Sequence, residues 1–272
     1  MSDDLDALVA AVLAAGKYRH VSPALVRAVG ARELAARPNL KTAIKATKNT
    51  LHQAGGAFTE APIRYDRARD RLVAALAEDP STAPGSPFAA ACRAVMAAHT
   101  STRERLPILD TFYTTTLAGL PAPRVVLDVA CGLNPLARPW MPFPATTQLI
   151  ASDIYADQVT FLNEAMALGG YAGLAEVRDV VHDPPPQSAD LALVLKTLPC
   201  LEAIDKHAPA RLLDAIAAPL LLVSFPAQTL GGRRKGMAAH YEARFSDLLA
   251  ERGWTADRFL FDTELAFLVR KG

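Results

Sequence analysis

Cysteine is scarce in this chain. Cys92, Cys131 and Cys200 are the only three in 272 residues, and none stands at C-x-x-C spacing. That argues against a disulfide framework or a zinc cluster and predicts a reducing compartment and no metal. Net charge is also nearly absent, at +1, but it is unevenly placed. Residues 1–105 carry 15 Lys/Arg against 10 Asp/Glu, and residues 106–272 carry 14 against 18. A basic front half points to a polyanionic partner, and uneven surface charge explains it equally well.

Long apolar runs are missing too. The opening stretch, MSDDLDALVAAVLAAGKY, starts acidic where a signal peptide starts basic. Its apolar run is helix-periodic and too short to span a bilayer. These features predict a soluble, cytoplasmic protein with no membrane partner. Half of the residues are hydrophobic, enough for a sizeable core in one large domain or two smaller ones.

The first hundred residues read as helices. Leu5, Leu8, Val9, Val12 and Leu13 recur at helical spacing. Ser22 and Pro23 suit an N-cap and first helical position, and Asn39 caps a third helix that stops at Gly55 and Gly56. That third helix carries an apolar stripe of Leu40, Ile44, Thr47 and Leu51, with Lys41, Lys45 and Lys48 in a narrow arc beside it. A fourth helix after Pro62 aligns Arg64, Arg67 and Arg71. Same-sign stripes on two helices favour a phosphate-contacting surface over a merely solvated face. Residues 78–87, rich in Pro, Ser and Gly, form a loop, and a short helix follows through Met96. Ser101 and Glu104 have capping-box spacing, and Pro107 should kink or split the helix that they open.

From Arg124 the pattern becomes alternating strand and helix. Candidate strands cover 124–130, 148–153, 174–180, 191–195, 220–225, 259–263 and 265–269, the last two as a tight hairpin. Continuous apolar runs such as LALVL and LLLVSF suit a sheet buried on both faces. The expected fold is a doubly wound, Rossmann-like α/β domain behind an all-helical front.

Glycine is sparse where such a fold binds its ligand. The turn in RVVLDVACGLNPLARPW holds only Gly132, followed by Asn and Pro. A dinucleotide would need G-x-G-x-x-G for close approach to its pyrophosphate. S-adenosylmethionine carries no phosphate and tolerates this turn. Asp153, at the end of the second strand, suits both ribose hydroxyls, and Asp179, at the end of the third, suits an adenine amino group. Asp128 lies inside the first strand, and Cys131 reads as a packing residue. On the residues alone a nucleotide, or a degenerate site holding neither, stays open. His20, His52, His182, His207 and His240 show no metal-ligand spacing.

The segments STRERLPILDTFY, RVVLDVACGLNPLA, LKTLPCLE, VSFPAQTLGGRRKGM and TELAFLVRK, in this order, resemble the aminoglycoside-resistance 16S rRNA (guanine(1405)-N(7))-methyltransferases over almost the whole chain. The resemblance implies a class I S-adenosylmethionine-dependent methyltransferase domain with a seven-stranded sheet, over residues 99–272. Residues 1–98 would be a helical domain docking on 16S rRNA in the 30S subunit. Matching motifs imply a cofactor pocket of Phe58, His99, Ser101, Arg105, Ala130, Gly132, Asp153, Asp179, Val180 and Leu195, with Arg105 pairing with the methionyl carboxylate.

Guanine N7 has a lone pair and no proton, so no general base is expected. Lys196, after the fourth strand, is expected to contact guanine O6 or a phosphate, and Glu202 to accept from the guanine N1–H and N2 amine. Arg233, Arg234 and Lys235, in a glycine-flanked loop, are expected to hold RNA phosphate. Nothing in the sequence calls for a dimer, so a monomer is expected. The chain departs from the family pattern at Arg234, where glycine is expected, in the proline-rich stretch 138–144, and in its longer 78–87 loop. The alternatives are a small-molecule methyltransferase and a non-catalytic RNA-binding assembly factor.

Overall fold

The computed structural model describes residues 2–37, 39–56, 62–227 and 237–272. Helices α1 (Ser2–Leu13), α2 (Pro23–Ala36) and α3 (Leu40–Leu51) open the chain. Pro23 starts α2 with its fixed φ, but the Ser22 side chain makes no capping bond. Asn39 does cap α3, its side chain accepting from the Thr42 N–H at 3.2 Å. A π-helical turn, His52–Gly56, closes α3. Helices α4 (Tyr65–Glu78) and α5 (Pro87–Met96) follow, the second capped by Ser86.

Pro107 does split the next helix. Helix α6 (Thr100–Arg105) and helix α7 (Leu109–Thr116) are joined by a 3₁₀ turn, Leu106–Ile108. The capping box is not formed: His99 holds the N-cap position, Ser101 lies inside α6, and Glu104 pairs with Lys196 instead.

The remainder alternates as β1 (Val125–Val129), β2 (Gln148–Asp153), α8 (Ala156–Leu168), β3 (Gly173–Val177), β4 (Leu191–Leu195), α9 (Leu198–Ile204), α10 (Ala208–Ala215), β5 (Leu220–Pro226), α11 (Met237–Arg252), β6 (Thr255–Leu260) and β7 (Glu264–Arg270). Among the described residues these seven strands make one sheet of order β3-β2-β1-β4-β5-β7-β6, parallel except for β7. This is the expected class I sheet. Two strands differ from expectation by more than one residue at an end. Strand β3 stops at Val177, so Asp179 sits in the turn after it. Strand β6 begins at Thr255 and ends at Leu260, because its register on β7 pairs Thr255 with Arg270 and Leu260 with Leu265 and leaves 261–263 to turn.

Side chains of successive strand residues point to opposite faces, and each face carries an apolar core. Leu8, Val12, Val26 and Leu51 of the front helices join Val194 and Val223 on one side. Leu72, Phe88 and Met96 join Leu193 and Leu222 on the other. The front helices thus bury their apolar faces against the sheet itself, on both sides of it.

Candidate cofactor and methyl-transfer site

Strand order reverses between β1 and β4, and a cleft opens at the carboxyl ends of the strands there. This is where open α/β sheets bind ligands. The backbone after β1 turns sharply to make it. Ala130 and Gly132 take φ of +50° and +53°, both in the left-handed region. A Cβ on Gly132 would stand 2.9 Å from His99 Cε1, so only glycine fits under that ring. Sequence reasoning assigned this close approach to a ligand; in the structure the His99 ring makes it.

Of the residues expected to hold a cofactor, His99, Ser101, Ala130 and Gly132 line the cleft, and so do Asp153, Asp179, Val180 and Leu195. Phe58 lies outside the described residues. The Asp153 carboxylate accepts from the Gly132 N–H at 2.8 Å and the Ile154 N–H at 2.7 Å, which locks the turns after β1 and β2 together. Burial raises its pKa, and these N–H groups oppose the rise. Asp179 folds its own turn, accepting from the Val181 N–H at 3.1 Å and meeting His182 Nδ1 at 2.6 Å. Burial lowers His99 to about 4, with the charges of Lys196, Arg103 and Arg105 adding to the effect, so its ring is neutral at neutral pH.

Three expectations are corrected. Arg105 is 1% exposed and does not line the cleft; its guanidinium donates to Glu264 Oε2 at 3.0 Å and Oε1 at 2.6 Å, and to Asn134 Oδ1 at 2.8 Å. A buried guanidinium needs a carboxylate, and Glu264 of β7 supplies it in place of a ligand. Lys196 does line the cleft, but its ammonium is not offered to a base or phosphate. It sits 2.9 Å from Glu104, 3.2 Å from the Ser101 carbonyl and 3.4 Å from Glu264. A φ of +59° at Lys196 turns the chain toward this network. Glu202 faces away from the cleft and is held by both terminal nitrogens of Arg244, in a separate groove between α9 and α11. It lies on the far face of α9 from Thr197, Cys200, Leu201 and Ile204, which do reach the cleft.

These side chains form one network beneath the site. Asp128 accepts from Asn134 Nδ2 at 2.9 Å, Asn134 accepts from Arg105 and Tyr113, and Glu264 accepts from Arg105 and from Ser224 Oγ at 2.5 Å. Sequence reasoning missed Glu264 and Asn134 as its hubs. The one signal in the sequence was an acid opening an otherwise apolar strand, ELAFLVR.

The expected RNA contacts are only partly brought together. Lys41 and Lys45 are exposed and Lys48 is half-buried, while Arg64, Arg67 and Arg71 are all exposed. Helix α3 packs on α1, α2 and α9, and α4 packs on α5 and α8, so the two stripes belong to different supports. Arg64 lines a second, wider cleft with Lys17, Arg19 and His20, and this cleft meets the first at Gly55, His99 and Tyr155. Arg233, Arg234 and Lys235 lie outside the described residues.

Comparisons with known proteins agree with this geometry. A family model described as Ribosomal RNA methyltransferase (FmrO) matches residues 14–268. A 16S rRNA (guanine(1405)-N(7))-methyltransferase of Frankia casuarinae is 43% identical over 259 residues, 94% of this chain and 89% of that one. Its counterpart in Micromonospora echinospora is 36% identical over 99% of this chain and 97% of its own. The crystal structure of the 16S rRNA methyltransferase RmtF in complex with S-adenosyl-L-homocysteine superimposes with a TM-score of 0.85 at 35% identity, covering all of both chains. The chain belongs to the FmrO family of ribosomal RNA methyltransferases.

Proposed function

We propose that this chain transfers a methyl group from S-adenosylmethionine to N7 of the 1405-type guanine of 16S rRNA in the 30S subunit, and that the modification confers aminoglycoside resistance. The observation that carries the reading is the cleft at the β1/β4 reversal. It combines the sharp left-handed turn at Ala130 and Gly132 with the Asp153 carboxylate, and it lacks the glycine pair that a pyrophosphate requires. Relatives named for this reaction match 94% and 99% of the chain.

S-adenosylmethionine, when bound, supplies an electrophilic methyl group on a sulfonium. The residues present fit it. Asp153 offers acceptors for ribose hydroxyls, Asp179 one for the adenine amino group, and Val180 and Leu195 give apolar walls for the adenine ring. His99, neutral and seated on Gly132, and Ser101 close the end toward α6. The protein has no proton to remove from N7, so its task is alignment of the reacting atoms at roughly 3 Å. The target base turns cationic as it accepts the methyl group. A bare ammonium aimed at it would oppose that change; pairing Lys196 with Glu104 and Glu264 neutralises the nearest one. Lys196 is thus a positioning residue that holds Ser101 and Glu104 in place. The guanine must leave its stack to reach the cleft.

Residues 1–98 are the ribosome-docking part in this reading. Lys41, Lys45, Lys48, Arg64, Arg67 and Arg71 contact rRNA phosphate, as do Arg233, Arg234 and Lys235. The substrate puts the activity in the cytoplasm, and one chain suffices for it.

The test is transfer of labelled methyl from S-adenosylmethionine to purified 30S subunits beside naked 16S rRNA. Label on 30S alone is expected. Label on neither, with cofactor binding intact, would shift the reading to a small-molecule substrate, and loss of cofactor binding would shift it to a non-catalytic assembly factor.

A further inference from the structure

The front helices reach the cofactor cleft directly. Leu25 of α2 and Gly55 of the π-helical turn are among its lining residues. A Cβ on Gly55 would stand 2.9 Å from Tyr155 Oη and 3.3 Å from Ile154 Cδ1, so the front section lies in close contact with the loop that follows Asp153. A second contact is through the backbone. The Ser22 N–H donates to the Ile154 carbonyl at 2.7 Å, the Ala156 N–H donates to the His20 carbonyl at 2.8 Å, and Val21 and Tyr155 pair as an antiparallel bridge between them. His20 also stands 3.8 Å from the Asp157 carboxylate. The turn carrying Lys17 and Arg19 and the loop carrying Asp153 are therefore one hydrogen-bonded unit. Lys17 and Arg19 are exposed and line the wider cleft.

We infer that this His20–Ser22 bridge couples the two ligands, so that cofactor in the cleft and the 30S subunit on the basic front each tighten the binding of the other. This rests on the proposed function. A ligand that orders the Asp153 loop also orders the 17–22 turn, and a second ligand meeting an already ordered turn loses less conformational entropy on binding. The linkage is reciprocal by thermodynamic necessity. It lets the enzyme hold its cofactor most tightly where the acceptor base is.

Two measurements on the full chain test it. In the first, hydrogen exchange is followed with and without S-adenosylhomocysteine, which cannot react. Slowed exchange is expected in residues 17–22 as well as 153–157. In the second, the affinity for S-adenosylhomocysteine is measured with and without saturating 30S subunits, in the parent and in Ser22→Pro. Ser22 has φ −47°, close to the value proline fixes, and makes no side-chain cap, and Val21 before it is already in a strand-like bridge, so proline removes the bridging N–H while suiting the local backbone. The 30S subunit should tighten the cofactor at least about 5-fold in the parent and less than about 2-fold in Ser22→Pro. Protection confined to 153–157, or equal tightening in both proteins, would overturn the coupling while leaving the methyl-transfer reading intact. No binding of S-adenosylhomocysteine to the parent would overturn both.

Discussion

Arg105 and Glu264 stand 159 residues apart in the chain and meet as a bidentate, fully buried ion pair, with side chains 1% and 0% exposed. The pair fastens α6, which carries Ser101 at the cleft and Glu104 against Lys196, to the β7 hairpin at the far end of the sequence. Phe112 stacks under the guanidinium at 4.9 Å. Replacing one partner strands the other charge in the interior. Glu264→Gln should therefore lose about 3–5 kcal/mol of stability in urea unfolding. Replacing both Arg105 and Glu264 with apolar residues should lose less than the sum of the single changes.

The same pair sets an acid limit. Burial alone would raise the Glu264 pKa, but the charges of Arg105 and Lys196 outweigh it and hold the carboxyl below its ordinary value. A carboxyl lowered in the folded state contributes stability above its unfolded pKa and loses it as pH falls through the folded value. The acid limb of stability against pH should be flatter in Glu264→Gln than in the parent.

Asp128 acts in the opposite direction. Burial in β1 pushes its carboxyl up to about 7, with Asn134 and Arg105 only partly opposing. Its folded form binds the proton more tightly than its unfolded form, so its contribution is fullest below the ordinary carboxylate pKa and is lost as pH rises to about 7. The parent should thus lose up to about 1.4 kcal/mol per pH unit across that window relative to Asp128→Asn. Urea unfolding of both proteins between the two limits measures the difference directly; parallel curves would contradict it.

Gly132→Ala tests the turn. The new methyl group meets the His99 ring and forces an L-residue to φ +53°. The strain is of order 1–3 kcal/mol. Calorimetric titration with S-adenosylhomocysteine should show affinity down at least about tenfold, the equivalent of about 1.4 kcal/mol. Unchanged affinity would mean that this turn does not shape the cofactor site.

Electrostatic docking has its own signature. Changing Lys41, Lys45 and Lys48 to Gln should weaken 30S binding and lower the slope of log affinity against log salt by about 1 for each phosphate left without its lysine. A lower affinity with an unchanged slope would assign the lysines a role other than pairing with phosphate.

Much of the fold, and the place of the cleft in it, were legible in the sequence. The apolar runs LALVL and LLLVSF marked β4 and β5 because strands buried on both faces need no polar alternation. Gly132, Asp153 and Asp179 could be placed at the cleft because apolar runs locate the strands and a doubly wound sheet opens its cleft at their carboxyl ends. Arg105, Lys196 and Glu202 were assigned the wrong partners for one shared reason. Charge type can be read from a sequence, but whether a charge faces a ligand or a counter-charge is decided by tertiary contacts, here with Glu264, Glu104 and Arg244. Leu25 and Gly55 carried no signal at all, since an ordinary helix leucine and a helix-ending glycine become cleft walls only once α2 and the turn after α3 pack against the loop after β2.

The most direct test of the central claim is to map the methylated atom. 30S subunits treated with the enzyme and S-adenosylmethionine would be reduced and cleaved at N7-methylguanine, whose cationic ring makes the strand scissile, and the breaks located by primer extension. The account predicts one new break, at the 1405-type guanine of the decoding region. Incorporated methyl with no break there, or a break at another nucleotide, would contradict it.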